Sequence, residues 1–308
     1  MRLLDSHGLA DPTTNLALEE YCYRNLDSGH DYVLFYINQP SIIIGNHQNP
    51  FQEINCEFAL QHKIRPVRRI SGGGTVYHDP GNLNFSFITA FCGEMLGYFK
   101  TLLQPVLDTL KHLGVPAQLT GKNNITVGGQ KISGNSQHTN MRRMLSHGTL
   151  LFDAQLDVLR QALQSKLPIV QSRAVASIPS SVTNISDHLS RPMSMEDFLA
   201  ELMAEMSNCF GEMEQYRLTA GDWEAVHRLA AEKYRSWEWT VGRSPEFIVR
   251  YPVQLDSVNL NPLVTVKHGI IKNIQFPREN PDHQTISRVR DRLLGQRYGA
   301  AEIGQLLR

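Results

Sequence analysis

The chain has 308 residues, with 30 lysines and arginines balanced by 30 aspartates and glutamates. That length suits two domains, or one large domain with an appendage, and lets the fold bury about 75% of its unfolded surface without disulfide or metal staples. The neutral balance gives no support to nucleic-acid binding driven by bulk charge.

Pro12 with Thr13 or Thr14 starts a first helix, followed by apolar residues at helical spacing. "YVLFYI" and "SIIIGN" are β-branched and aromatic runs split by "NQP", and they read as paired strands. "EINCEFALQHK" reads as a helix and "RPVRRI" as a strand that leads into three glycines. "TVYHD" and "LNFSFITAF" are further strands around the turn "DPGN". A long helix follows over "GEMLGYFKTLLQPVLDTLKHLG", with a kink expected at Pro105 and a stop at Gly114. "GKNNITVGGQKISGNSQ" reads as a hairpin turning at "VGGQ", and "MLSHGTLLFD" as a buried strand. "AQLDVLRQALQ", "SMEDFLAELMAEMSNCFG" and "AGDWEAVHRLAAEKY" read as helices.

The pattern changes near "SWEWTVGRSPEF". Short strands ("FIVRYPVQL", "PLVTVKHG", "IIKNIQFP") and two short helices ("HQTISRVRDRLL", "AAEIGQLL") follow, enough for a small second domain. The expected division is 1–242 and 243–308. The four cysteines (Cys22, Cys56, Cys92, Cys209) stand far apart with no zinc-type spacing, so a reduced, cytoplasmic protein is expected. The opening residues hold no apolar signal core, and no apolar run approaches the roughly 20 residues of a membrane span.

Two polar, glycine-rich segments carry the chemistry. In "RRISGGGTVYHDPGN" three glycines remove the side chains that keep ligands from the backbone, and they permit positive φ. Converging amides form an anion nest, and Arg68 and Arg69 can add bidentate contacts to phosphate or carboxylate. The segment has neither P-loop nor dinucleotide-binding spacing, and a tight turn with no ligand is the plain alternative. In the hairpin, alternation places Lys131, Ser133 and Asn135 on one face, where the lysine can grip two anionic oxygens; a solvated lysine is the alternative. His147 reads as a satisfied core histidine. His78 with Asp79 reads equally as a structural pair or as lining of a nucleotide site. Only Asp79 offers a hard-cation ligand near these loops, so no metal-binding residue is assigned.

The order of these segments resembles the lipoate–protein ligase A family. "RRISGGGTVYHDPGNLNFSF", "GKNNI…QKISGNSQ", "HGTLLFD" and "SIPSSVTNI" are similar to four of its elements, and "SWEWTVGRSPEF" to its junction with an accessory domain. The resemblance implies an α/β fold: a mixed sheet flanked by helices, akin to biotin ligases, with a small C-terminal lid. It implies that lipoate and ATP react to lipoyl-adenylate and pyrophosphate, and that the acyl group then passes to a lysine of a lipoyl carrier domain. Such carriers are the E2 subunits of 2-oxoacid dehydrogenases or the glycine cleavage H protein. By motif position, Arg69, Gly74, Thr75, Val76 and Tyr77 match the ATP-binding segment. Gly72, Gly73, His78, Ser133 and Gly148 match lipoate-binding positions. Lys131 matches the catalytic lysine that contacts both substrates. Mg²⁺ is expected to be held mainly by the nucleotide phosphates, and the protein to be a monomer with no nucleic-acid or membrane partner.

The sequence departs from the family pattern at Asn124, where an acid is usual, and at Asn135 and Ser136, which are bulkier and more polar than the family's residues. Octanoate therefore stays open beside lipoate. The rival readings are a lipoyl or octanoyl transferase, cysteine-dependent or using a preformed adenylate, and a non-catalytic lipoyl-binding protein. A cysteine-dependent transferase needs a reactive thiol near the hairpin or within "KLPIVQSRAVASIPSS", which has none.

Overall fold

Eight strands, numbered in chain order through the protein, build the main sheet in the order β12-β1-β2-β6-β10-β9-β8-β7. They are β1 (Arg2–Leu4), β2 (Tyr32–Ile37), β6 (Asn82–Ala90), β7 (Ala117–Thr120), β8 (Asn124–Val127), β9 (Gln130–Thr139), β10 (Arg143–Leu151) and β12 (Glu214–Tyr216). β1 runs parallel to both its neighbours, and all other pairs are antiparallel. This is the expected mixed sheet. The computed structural model describes residues 1–91, 93, 95–121, 123–255, 258–276, 282–299 and 307.

Alternation along β2 sorts the two faces of this sheet. Val33 and Phe35 join a core with Leu102, Leu103 and Val106 of α4 (Met95–His112) and Phe198, Leu202 and Met206 of α6 (Met195–Phe210). Tyr32, Leu34 and Tyr36 face the other way, onto Leu16, Ala17 and Tyr23 of α1 (Pro12–Asn25) and Val226 of α7 (Ala220–Leu229). Helix starts follow capping chemistry: Asp11 accepts from the Thr13 amide, and Ser194 from the Asp197 amide. Pro105 lies inside α4, and Gly114 follows that helix with φ +78°.

A smaller sheet, β4 (Arg65–Arg68)-β3 (Ser41–Ile44)-β5 (Val76–His78), carries the glycine segment. The runs at 32–37 and 41–44 are therefore not partners. Both are buried on both faces, so neither has a polar side to fix a hairpin register, and each takes partners far along the chain. The helix expected over 53–63 is broken in two, α2 (Pro50–Glu53) and α3 (Cys56–Gln61), because Asn55 caps the second piece through its side chain. α3 and α5 (Leu156–Ala162) pack on this sheet through Ala59 and Ala162.

A third sheet, β11 (Ile169–Ser172)-β13 (Phe247–Arg250)-β16 (Leu263–Lys267)-β17 (Ile270–Gln275), draws its first strand from well ahead of residue 243. The run "FIVRYPVQL" divides at Pro252 into β13 and β14 (Val253–Leu255), and β14 pairs with β15 (Val258–Leu260). Helix α8 (His283–Leu293) covers this region through Val289 and Leu293, and Phe51 and Val241 complete its core. The expected final helix over 300–307 lies, but for residue 307, outside the described residues. Cys92 lies outside them too.

Candidate active site

The glycine segment and the lysine hairpin meet at one cleft of about 360 Å³, within the range of small-molecule sites. Arg69, Gly73, Gly74, Thr75, Val76, His78, Lys131 and Gly148 all line it. Gly72, Tyr77 and Ser133 do not. Tyr77 points into the core under the smaller sheet, beside Ile42. Ser133 is fully buried, because a bulge in the β8–β9 pairing shifts the register between Lys131 and Ser133 and breaks simple alternation. Lys131 instead shares a side with Gly134, where an added Cβ would lie 2.7 Å from the lysine Nζ. The hairpin turns as expected: Gly128 and Gly129 both have positive φ, as a two-residue primed turn demands.

The paired arginines part company. Arg68 is fully buried and turned away from the cleft. Its guanidinium donates to the carbonyls of Gly45, Asn46, Gln48, Trp239 and Thr240 at 2.7 to 3.1 Å, and the Trp239 indole donates to its backbone carbonyl. It therefore cannot hold a phosphate, contrary to the expectation that both arginines face an anion. Burial, then the charges of Arg243 and Arg69, lower its pKa to about 9. Arg69 lines the cleft but spends its donors on the loop itself: Nη2 bonds the carbonyls of Gly72 and Gly74, Nη1 that of Ile43, and Nε the Ser71 hydroxyl.

Of the three glycines only Gly73 has positive φ (+85°). The tight fit comes from elsewhere. A Cβ on Gly45 would stand 2.1 Å from the Gly73 carbonyl oxygen, so the end of β3 must be glycine for the loop to seat. The 175–180 segment closes over the loop: Ser177 Oγ accepts from the Thr75 amide (2.9 Å) and from Gln48 Nε2 (3.0 Å), and donates to Glu53. Gly45, Gln48, Glu53 and Ser177 carried no local signal that sequence reading could have used.

Behind the loop, Ser71 Oγ lies 2.6 Å from His147 Nε2, and His147 Nδ1 lies 3.1 Å from Glu19. The order matches a hydrolase triad, but Ser71 is fully buried and takes the Arg69 Nε–H. This chain of bonds orients Arg69 and offers no exposed nucleophile. His147 is thus a satisfied, buried histidine, as expected, that also lines the cleft.

Three polar groups face the cleft unpaired among the described residues. Lys131 forms no ion pair; burial, then the charge of Arg69, hold its pKa below the usual lysine range. Asn135 donates to the Asn123 carbonyl (2.9 Å) and Ser133 Oγ (3.1 Å), which leaves its Oδ1 pressed against Gly148 without a donor. His78 is fixed as a donor by a chain anchored at a carbonyl. The Asn15 amide NH₂ donates to Leu9 O and to Asn38 Oδ1, so the Asn38 NH₂ must donate to His78 Nδ1 at 2.9 Å. The His78 proton therefore sits on Nε2, which has no partner. Burial, then the charges of Arg69 and His147, push its pKa down to about 3. Asp79 is committed elsewhere, accepting from the amides of Gly81 and Gln155. Among the described residues no carboxylate lines the cleft.

A cationic cleft beside an anchored glycine loop suits an acyl-activating ligase, and the chain belongs to the lipoyl protein ligase A/B family, whose catalytic-domain profile matches residues 11–207. Across its full length it is 42% identical to lipoate-protein ligase LplJ of Bacillus subtilis strain 168, covering 93% of that protein. Over 90% of its length it is 44% identical to lipoate–protein ligase 1 of Staphylococcus aureus strain Mu50, covering 84% of it. Among solved structures it resembles lipoate-protein ligase A bound with ATP (26% identity, TM-score 0.68, 79% of this chain and 98% of that one). It also resembles the putative lipoate protein ligase of T. acidophilum with bound lipoic acid (25% identity, TM-score 0.68, 78% and 98%). No helix among the described residues is long and apolar enough to cross a membrane.

Proposed function

We propose that this chain is an ATP-dependent lipoate–protein ligase. Lipoate and ATP give lipoyl-adenylate and pyrophosphate, and a carrier lysine then takes the acyl group and releases AMP. The observation that carries this reading is the unpaired Lys131 ammonium beside Arg69, in a cleft whose described lining holds no carboxylate. A site with uncompensated positive charge binds anions, and adenylation presses a carboxylate against an α-phosphate. Lys131 neutralises both oxygens and holds them in line. The glycine loop (Gly72, Gly73, Gly74, Thr75 and Val76), kept in shape by Arg69, takes the nucleotide through its backbone. Tyr77 contributes backbone alone, since its ring is in the core.

At the acyl end, the His78 Nε2–H is a fixed, neutral donor, and Gly148 leaves room beside Asn135. The departures from the family pattern fall here: Ser136 donates to the Gly72 carbonyl at 2.9 Å, tying hairpin to loop. Mg²⁺ accompanies the nucleotide phosphates, because the described cleft lining supplies no carboxylate to hold it. Residues 243–308 form the accessory domain, with β11 lent by the catalytic domain, and closure over the cleft shields the mixed anhydride from water. The carriers are lipoyl domains of 2-oxoacid dehydrogenases or the glycine cleavage H protein, met by a monomer in the cytoplasm.

The cysteine-dependent transferase finds no support. Cys22 is buried, with its thiol pKa pushed far up by burial and then by Asp222 and Glu19, and neither Cys56 nor Cys209 lines the cleft. Incubation with ATP, Mg²⁺ and either lipoate or octanoate tests the proposal. Acyl-adenylate by mass spectrometry, with one pyrophosphate per adenylate, is expected; neither product from either acid overturns it.

A further inference from the structure

The second concentration of reactive side chains lies on α4 and α6, which pack side by side over one face of the sheet. Asp108 and His112 stand one turn apart on α4, and Glu205 and Cys209 one turn apart on α6. Residues four apart share a helix face, and here the two pairs face each other. Ligand atoms of Asp108, Glu205 and Cys209 all lie within 4.8 Å of one another. Cys209 Sγ is 4.0 Å from Glu205 Oε1, and His112 Nδ1 is 3.4 Å from Glu205 Oε2. We propose that Asp108, His112, Glu205 and Cys209 bind one divalent transition-metal ion of the zinc type, which joins α4 to α6.

The donor set selects the ion. An all-oxygen cluster would suit Mg²⁺ or Ca²⁺, whereas a thiolate and an imidazole added to two carboxylates suit a borderline-soft ion in tetrahedral geometry. Bonds of 2.0 to 2.3 Å give tetrahedral edges of about 3.3 to 3.7 Å. The His112–Glu205 separation is already there, and Asp108, Glu205 and Cys209 close from within 4.8 Å of one another by rotamer changes. His112, an exposed side chain at the end of α4, swings in as the fourth ligand from farther out.

Charge points the same way. Among the described residues neither carboxylate is paired with a lysine or arginine, so each makes the potential at the other more negative. A divalent cation reverses that repulsion: Cys209 releases its proton to solvent, and the thiolate, two carboxylates and neutral imidazole share the two positive charges. Two amides hold the carboxylates in place, Gln104 Nε2 on Asp108 Oδ1 (2.9 Å) and Asn208 Nδ2 on Glu205 Oε2 (3.2 Å). Spacing rules along the chain miss this group, because its two halves come from helices far apart in sequence.

The test uses the full chain, reduced and stripped with chelator. Zinc alone is titrated against a chromophoric competitor of micromolar affinity, and cobalt is then substituted to read the thiolate-to-metal charge-transfer band. One equivalent of zinc and a cobalt–thiolate band are expected. Cys209→Ser removes the band, and Cys209→Ser and His112→Ala each weaken zinc binding by about tenfold or more, with adenylate formation unchanged. Zinc raises the melting temperature of the wild type and not of the double variant. No zinc retained against the competitor, or wild-type affinity in either single variant, overturns the site.

Discussion

The glycine segment and the lysine hairpin face each other across one cleft, yet they handle positive charge in opposite ways. In the glycine segment the guanidinium donors are turned onto the protein itself: Arg68 to five carbonyls and the Ser244 hydroxyl, Arg69 to three carbonyls and the Ser71 hydroxyl. In the hairpin, Lys131 reaches the cleft with no ion pair among the described residues, its ammonium lying against Gly134. One region uses cations to hold shape, and the other presents a cation to the cleft. The two are joined where Ser136 donates to the Gly72 carbonyl. A flexible glycine loop can serve as a binding surface only if something else fixes it, and here that is the planar, many-donor guanidinium.

The largest expected effect breaks the fastened side. Arg68→Met orphans buried carbonyls at Gly45, Gln48 and Thr240, which should cost about 3–5 kcal/mol of unfolding free energy. Arg68→Lys should recover little, because three donors cannot span five carbonyls. Urea unfolding reads both variants. A midpoint equal to wild type for Arg68→Met would show that the clamp contributes nothing.

Lys131→Met breaks the other side and should leave stability level or raise it. The sign follows from the lowered pKa: the folded state binds the lysine proton less well than the unfolded chain, so the charged form costs the fold, and a neutral side chain removes that cost. Adenylate formation should instead fall by about 10²–10³-fold, the loss seen when one charge-stabilising donor is removed. Single-turnover assays with lipoate and ATP measure this. Wild-type adenylation in Lys131→Met would move the chemistry elsewhere.

What could be read in the chain and what could not follow the same division. The glycine run, Lys131, the turn at Gly128 and Gly129, and the buried strand through Gly148 announce themselves within a few residues, because turn chemistry and alternation are local. The opposite roles of Arg68 and Arg69 were invisible, since they depend on carbonyls at residues 45–48 and 239–240. The same holds for the partner of β2, for Gly45, whose Cα touches the loop, and for Ser177, which closes over it. Alternation misplaced Ser133 because one extra residue in a bulge reverses a strand's facing, and no residue type there marks the bulge.

The smallest effect probes His78, which belongs to the glycine segment by chain position but, like Lys131, faces the cleft unpaired. Its pKa is about 3 in the fold, against an unperturbed value near 6.5. Between those values the unfolded chain binds a proton that the folded one refuses. Stability is therefore full above about pH 6.5 and is lost as the pH falls toward 3, by about 2 kcal/mol at pH 5. His78→Gln removes this contribution, so the difference in unfolding free energy between wild type and variant should shift by that amount between pH 7 and pH 5. A difference that stays constant over this range would mean that His78 is protonated in the fold. Nδ1 would then lose the lone pair that accepts from Asn38, and the neutral donor assigned to the acyl end of the cleft would be wrong.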